Sequence, residues 1–156
     1  MRLQDQIVRM TQRALADLVR SVEAIEPDKQ DWRPAEHARS ALDQLREVAV
    51  VPRFHLMLLR DGHMPTGEDH AGFRQEAAKL STVSDAIMAA RNSTNDLCEL
   101  IATFPDDRLE EEITLPFGGG MHVSMADVLT IHYWNMVYHH GQVNYIQTLY
   151  GDKEMH

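Results

Sequence analysis

Four polar side chains recur along the last apolar segment of the chain, and their types are those that bind metal ions or small molecules. At roughly 100° per residue on a helix, they share one face with apolar residues that would point to a core. The full stripe is Val128, Ile131, His132, Asn135, His139, Gln142 and Ile146. Buried polar groups must be hydrogen-bonded or must bind something. The stripe therefore indicates either a satisfied polar core or a ligand site.

The spacing within the stripe determines which of its polar side chains can reach one ion together. Asn135 and His139 are four residues apart, so both side chains can reach one ion. His132 lies nearly two turns before His139, ~10 Å along the axis, which is too far for the pair alone to share a metal. A further ligand can come from the buried side of the second predicted helix. Glu47 is the best candidate there, and His55, two turns further along, competes with it.

The first two helices are predicted from apolar residues at three- and four-residue spacing. The first runs from Ile7 to Ile25, and Pro27 ends it. The second begins at Ser40, a plausible N-cap with Asp43 in the capping-box position. Pro52 removes one hydrogen bond inside this segment, and we expect one kinked helix rather than two short ones.

The second half of the chain predicts two more helices. Residues 62–72 are rich in Gly, Pro, Asp and His and predict a loop. The apolar spacing of the third helix covers 80–101, with Ser81 or Thr82 as its N-cap. Residues 106–123 break the helical pattern around Gly118–Gly120 and predict a short hairpin or an irregular excursion. Ser124 with Asp127 then opens a fourth helix that ends near Tyr150.

These elements predict an all-α fold, a four-helix bundle with a long connection between helices two and three and a short hairpin-like excursion before helix four. At 156 residues with 44% hydrophobic residues, the chain fits one domain, residues 1–156. The long connection allows a crossover, so an up-down-up-down order is not required.

Composition excludes several kinds of partner. With 24 acidic and 15 basic residues the formal charge is −9, which disfavours nucleic acid and anionic membranes. No apolar run approaches the ~20 residues of a membrane span, and the start of the chain is charged and polar. Cys98 is the one cysteine, which suits a reducing compartment. We therefore expect a cytoplasmic protein.

Two segments resemble the DinB-like (YfiT-like) metalloprotein superfamily. Residues 135–146, with His139-His140-Gly141-Gln142, resemble its last helix, in which a histidine, three residues, a histidine, one residue and Gly-Gln follow one another. Asp31-Trp32-Arg33-Pro34 and the helix after Ser40 resemble its Trp-x-Pro connector and second helix. A short hairpin before the last helix also fits, so the resemblance covers nearly the whole chain.

The resemblance implies a divalent-metal site, with Zn²⁺ or Ni²⁺ the expected ions. Family members bind metal through three histidines, one on helix two and two on helix four. By position, His139 matches one of them, whereas Glu47 and Asn135 stand where the other two are expected. Oxygen ligands would make a harder, weaker site. A changed metal, a site completed by His132 or His55, and a lost metal all stay open.

Three functions follow from the resemblance and the stripe. The first is a metal-dependent transferase acting on small molecules with a low-molecular-weight thiol cosubstrate, in which Gln142 orients a ligand or water. The second is a non-enzymatic module that binds a small molecule. The third is a stress-response dimer with a degenerate metal site, so enzyme status stays open.

A homodimer is expected from the family. Trp134, Tyr138 and Tyr145 share one flank of the last helix. We expect them to pack in the core against a neighbouring helix; the alternative is that they cover a second subunit.

Overall fold

The computed structural model describes residues 1–117 and 119–156. Its elements are α1 (Leu3–Glu23), α2 (Ala41–Leu59), α3 (Gly67–Lys79), α4 (Val83–Ala102), β1 (Glu112–Leu115), β2 (Met121–Ser124) and α5 (Met125–Leu149). The four predicted helices correspond to α1, α2, α4 and α5. In the described part of the chain, no helix is both long and apolar enough to cross a membrane.

Capping boxes fix where three of the predicted helices begin. The hydroxyl oxygens of Ser40, Thr82 and Ser124 each accept a hydrogen bond from the backbone N–H three residues on. The aspartate at that third position accepts in return from the cap's own N–H. Each cap contributes about 1 kcal/mol, so these helix starts are encoded locally. Of the two residues predicted for α4, Thr82 is the cap.

Helix α3 was not predicted, and the loop expected at 62–72 ends at Gly67. Thr66 accepts from the Asp69 N–H, and the Asp69 carboxylate accepts from the Thr66 N–H, which completes a fourth capping box. Among its described residues α3 buries none, so it has no apolar stripe that periodicity could detect. It lies against α2, where Arg53 pairs with Glu76 at 2.8 Å.

The main helix contacts join α1 to α4, α4 to α2, α2 to α5, and α5 to α1. Consecutive α1 and α2 therefore stand at opposite corners of the bundle, which is a crossover arrangement. Helix α2 continues without a break through the buried Pro52, as expected of one helix rather than two.

The hairpin before α5 is antiparallel, with Glu112 opposite Ser124 and Leu115 opposite Met121. Gly119 and Gly120 have φ of 82° and 98°, a region that glycine reaches without strain. Gly118, part of the predicted turn, lies outside the described residues. Leu115 is fully buried and anchors the hairpin to the bundle.

The core has two apolar clusters. One includes Leu18, Leu45 and Met136, and the other includes Leu97 and Leu129. Full burial of one such side chain contributes about 2 kcal/mol. On α5, His132 and His139 are buried between these apolar layers, whereas Asn135 and Gln142 are partly exposed.

Candidate functional site

The three predicted metal ligands lie side by side between α2 and α5. His139 is 1% exposed, and its Nε2 lies 3.0 Å from Oε1 of Glu47. Asn135 donates from Nδ2 to the same Oε1 at 3.3 Å. The helix spacing of Asn135 and His139 and the facing position of Glu47 thus bring one amide, one imidazole and one carboxylate together.

The second ring nitrogen of His139 is held by two glutamines. Its Nδ1 donates to Oε1 of Gln44, in a short hydrogen bond, and to Oε1 of Gln142 at 3.2 Å. Gln142 therefore orients the imidazole. Gln44 was missed as a site residue, although it lies on the same face of α2 as Glu47, three residues earlier.

These contacts decide what can stand between His139 and Glu47. Amide oxygens only accept, so a proton sits on Nδ1 of His139. A neutral ring would then aim the Nε2 lone pair at a carboxylate oxygen. The contact requires either a second proton, which makes an imidazolium–carboxylate pair, or a cation bound by both groups. Metal-binding histidines commonly have their other N–H held in this way.

Glu47 is held in its charged form. The hydrogen bond from His139 and the charges of His139 and Arg39 lower the pKa of Glu47 to about 2, against the opposing effect of burial. Arg39 donates to Oε2 of Glu47 at 2.5 Å. Arg39 comes from the connector before α2, where spacing on a helix gives no indication of its partner, and the sequence did not single it out.

The donor set fits a divalent cation. Nε2 of His139 and Oε1 of Glu47 face each other at 3.0 Å, and an imidazole nitrogen and a carboxylate oxygen are both ligand types that would hold zinc. Oδ1 of Asn135 is buried without a hydrogen-bond partner among the described residues, so it could serve as a third ligand atom. Within residues 1–117 and 119–156, however, no three His, Cys, Asp or Glu side chains form a metal-binding group. Such a site would depend on the amide.

A cavity of about 850 Å³ adjoins this cluster. Its lining includes Glu47, Phe54 and His55 of α2 and Asn135 of α5. Helix α3 contributes His70, Phe73 and Arg74. The cavity is of the size that holds a small organic molecule.

His55 and His132 form a separate buried pair, apart from His139. Their ring centroids are 6.2 Å apart. His55 donates from Nδ1 to the Val51 carbonyl at 3.2 Å, and Nε2 of His132 is 2.9 Å from the Thr94 hydroxyl. Burial lowers the pKa of His55 to about 4, and burial with nearby His55 and His139 lowers that of His132 to about 3. Both are neutral at physiological pH.

Cys98 takes no part in this chemistry. It is buried on α4, and burial raises the pKa of its thiol to about 11. Any thiol that reacts at this site must therefore come from a ligand.

Comparisons with known proteins give a structural result only. No protein-family model matches the sequence, and no curated protein is significantly similar to it. YfiT from Bacillus subtilis, described as a probable metal-dependent hydrolase with an unusual four-helix bundle topology, superposes with a TM-score of 0.74. The two sequences are 14% identical, over 95% of this chain and 87% of that one.

Two further structures agree. A DinB-like protein of Bacillus subtilis, YjoA, has a TM-score of 0.65 at 19% identity, over 95% of this chain and 94% of that one. The mycothiol-dependent maleylpyruvate isomerase has a TM-score of 0.70 at 10% identity, over 92% of this chain and 61% of the isomerase. At these identities the likeness concerns the fold alone. It confirms that the chain resembles the DinB-like (YfiT-like) proteins in fold. This chain has the fold of YfiT and the DinB-like proteins.

Proposed function

We propose that the protein binds a divalent cation between α2 and α5 and acts with it on a small molecule in the adjoining cavity. The observation that carries the proposal is the contact of His139 with Glu47. An Nδ1 proton fixed by two amide oxygens leaves Nε2 facing a carboxylate oxygen at 3.0 Å. A shared cation satisfies both groups.

The residues of the chain have distinct roles in this proposal. His139 and Glu47 hold the cation, and Asn135 supplies an amide oxygen after a rotation of its side chain. Gln44 and Gln142 keep the imidazole in the required tautomer. Arg39, bonded to the other oxygen of Glu47, orients the carboxylate.

The fold neighbours and the burial of Cys98 support a proposal for the type of reaction. When bound, a divalent cation would polarise a small thiol and lower its pKa. One neighbour is a mycothiol-dependent isomerase and another a probable metal-dependent hydrolase. Because Cys98 is buried, we propose that a low-molecular-weight thiol serves as cosubstrate in a transfer to a small electrophile.

Metal analysis tests the first step. Protein purified without a nickel column is dialysed against Zn²⁺ or Ni²⁺, washed, and measured by elemental analysis and thermal unfolding. We expect one ion per chain and a raised unfolding temperature, because an ion that binds only the native state stabilises it. The variant Glu47→Gln keeps the side-chain shape, removes the charge, and should lose both effects.

Glu76→Gln is the matched control. Glu76 is also paired with an arginine, and its side chain is 40% exposed against 37% for Glu47. Equal metal content in wild type and Glu47→Gln, or an equal loss in Glu76→Gln, would contradict the proposed site.

A second candidate function is a metal-free binding module. It is favoured by the ion pair of Glu47 with Arg39, since the guanidinium already balances the charge of the carboxylate. This function predicts that small molecules stabilise the protein equally with and without a chelator.

A further inference from the structure

The cavity has an apolar side that the proposed metal chemistry does not use. Four rings follow one another along this side, and we call them the aromatic wall: Phe54, His70, Phe73 and Phe117. Phe54 stacks on His70 with centroids 6.3 Å apart and lies 5.4 Å from Phe117, and His70 meets Phe73 edge-on at 5.9 Å. Val50, Val51 and Ile131 extend the apolar lining.

Helix α3 supports the aromatic wall from outside the bundle. Among its described residues it buries none, yet Phe73, Ala77 and Ala78 face the cavity. When a ligand removes such partly exposed apolar side chains from water, their burial contributes to the free energy of binding. The helix thus forms one wall of the cavity, while Phe73 also packs against the second core cluster.

The charges at the cavity are opposite to those of the protein as a whole. Three arginines line it, Arg39, Arg46 and Arg74, against the two acids Asp43 and Glu47, although the formal net charge of the chain is −9. Local positive charge on an acidic protein indicates an anionic ligand, since the overall field opposes one.

Only one of these arginines is uncommitted in the described part of the chain. Arg39 donates to Glu47 and to the Asp43 carbonyl. Arg46 donates to the Leu80 carbonyl and to Asp43. Arg74, exposed on α3 next to Phe73, makes neither a hydrogen bond nor an ion pair with a described residue.

We propose that the cavity takes a small amphipathic carboxylate, with the anionic group at Arg74 and the apolar body along the aromatic wall. A guanidinium pairs with a carboxylate through two parallel hydrogen bonds, which a neutral amide cannot reproduce. The inference names the ligand class of the proposed function and rests on it for the use of the cavity. The binding itself needs only Arg74 and the aromatic wall.

Titration calorimetry with matched probes tests the ligand class. The probes are 3-phenylpropionate, its neutral amide and the corresponding amine, added to protein treated with EDTA and to protein loaded with Zn²⁺. We expect the carboxylate to bind about tenfold or more tightly than the amide in both preparations, and the amine to bind least. Equal binding of carboxylate and amide, or no binding by any probe, would overturn the proposal.

Variants identify the group that binds the anion. Arg74→Gln should weaken carboxylate binding about tenfold and leave amide binding unchanged. Arg91→Gln, on α4 and outside the lining, should change neither. Phe73→Ala should weaken the binding of both the carboxylate and the amide. An unchanged carboxylate affinity in Arg74→Gln would disprove the role of Arg74.

The same titrations separate this inference from the metal proposal. Carboxylate preference that depends on Arg74 supports the ligand class, and failure of the Zn²⁺-treated protein to retain metal then contradicts the cation site alone. Zn²⁺ binding that depends on Glu47, with no preference among the probes, supports the cation site and overturns the ligand class.

Discussion

His139 is the residue on which the proposed chemistry depends, and its surroundings differ from those of the other buried histidines. Two amide oxygens and one carboxylate oxygen surround its ring. His55 and His132 instead have one partner each and lie among apolar side chains. The first environment supports positive charge near the ring, whereas the second excludes it.

This contrast predicts how stability depends on pH. The pKa of His55 falls from 6.5 to about 4 in the folded protein because burial disfavours its charged form. Above pH 6.5 the ring is neutral in both states. Below it, the unfolded chain takes up a proton that the native state refuses, so the free energy of unfolding decreases by about 1.4 kcal/mol per pH unit. The decrease from His55 ends near pH 4, after roughly 3 kcal/mol in total.

Urea unfolding measured at several pH values between about 7 and 4 checks this prediction. His132, with a pKa of about 3, should act in the same direction over this range. His55→Gln should reduce the slope of the free energy of unfolding against pH by the contribution of one proton, about 1.4 kcal/mol per pH unit. This holds whatever the variant does to the absolute stability. A slope that is the same in His55→Gln and wild type would show that His55 is protonated in the native state.

Replacing Asn135 with histidine should strengthen metal binding. An imidazole at this position would stand one turn from His139 on the same face and give the site a second nitrogen ligand. We expect Asn135→His to bind Zn²⁺ at least about tenfold more tightly than wild type, measured by competition with a chromophoric chelator. Asn144→His, exposed on the same helix, is the control. Equal affinities in Asn135→His and wild type would place the cation elsewhere.

At the scale of elements, local signals explain what could be predicted. Ser40, Thr82 and Ser124 each precede an apolar periodic segment and have aspartate at the third position. The sequence therefore predicts both that a helix forms and where it begins. Thr66 with Asp69 carries the same signal, but no buried stripe follows it, and α3 was therefore missed. Glu47 and His139 could be placed from helix phase. Gln44 shares the face of Glu47 and could have been placed in the same way. Arg39 could not be, because it lies in the connector before α2 and its partner is set by a tertiary contact.

The dependence of α3 on its cap is testable. Because α3 buries no described residue, its capping box and its contacts with α2 must supply its stability. We expect Thr66→Ala to cost about 1 kcal/mol locally and to speed amide hydrogen exchange in 67–79 without changing exchange in α5. Thr82→Ala removes the equivalent cap from the packed helix α4 and should lower global stability instead. Unchanged exchange in α3 would mean that packing on α2 is sufficient to hold it.

At the scale of the whole molecule, the outer face of α5 was predicted wrongly. Trp134, Tyr138 and Tyr145 were expected in the core, but they are 64%, 63% and 65% exposed. They recur at positions i, i+4 and i+11, so they form one stripe on a flank next to the face of His139, whose ring centroid lies 5.3 Å from that of Tyr138. Helix periodicity identifies a shared flank but cannot tell which neighbour covers it. The alternative, a second subunit, stays a prediction.

Physical features of this face favour a second copy of the chain. Asp127 is the only Asp, Glu, Lys or Arg among the 25 residues of α5. An exposed aromatic stripe without charge is typical of an interface. Because each copy carries a formal charge of −9, association should strengthen as salt screens the repulsion between copies.

Sedimentation velocity at two salt concentrations tests the dimer. We expect wild type to sediment as a dimer and Trp134→Lys as a monomer, since a lysine in the stripe would bury an unpaired charge. Met88→Lys is the control, because Met88 on α4 is 58% exposed outside the stripe. A monomeric wild type at high salt, or dissociation by Met88→Lys as well, would show that the stripe is not the dimer interface. Such a result would leave the site between α2 and α5 unaffected, because its residues all come from one chain.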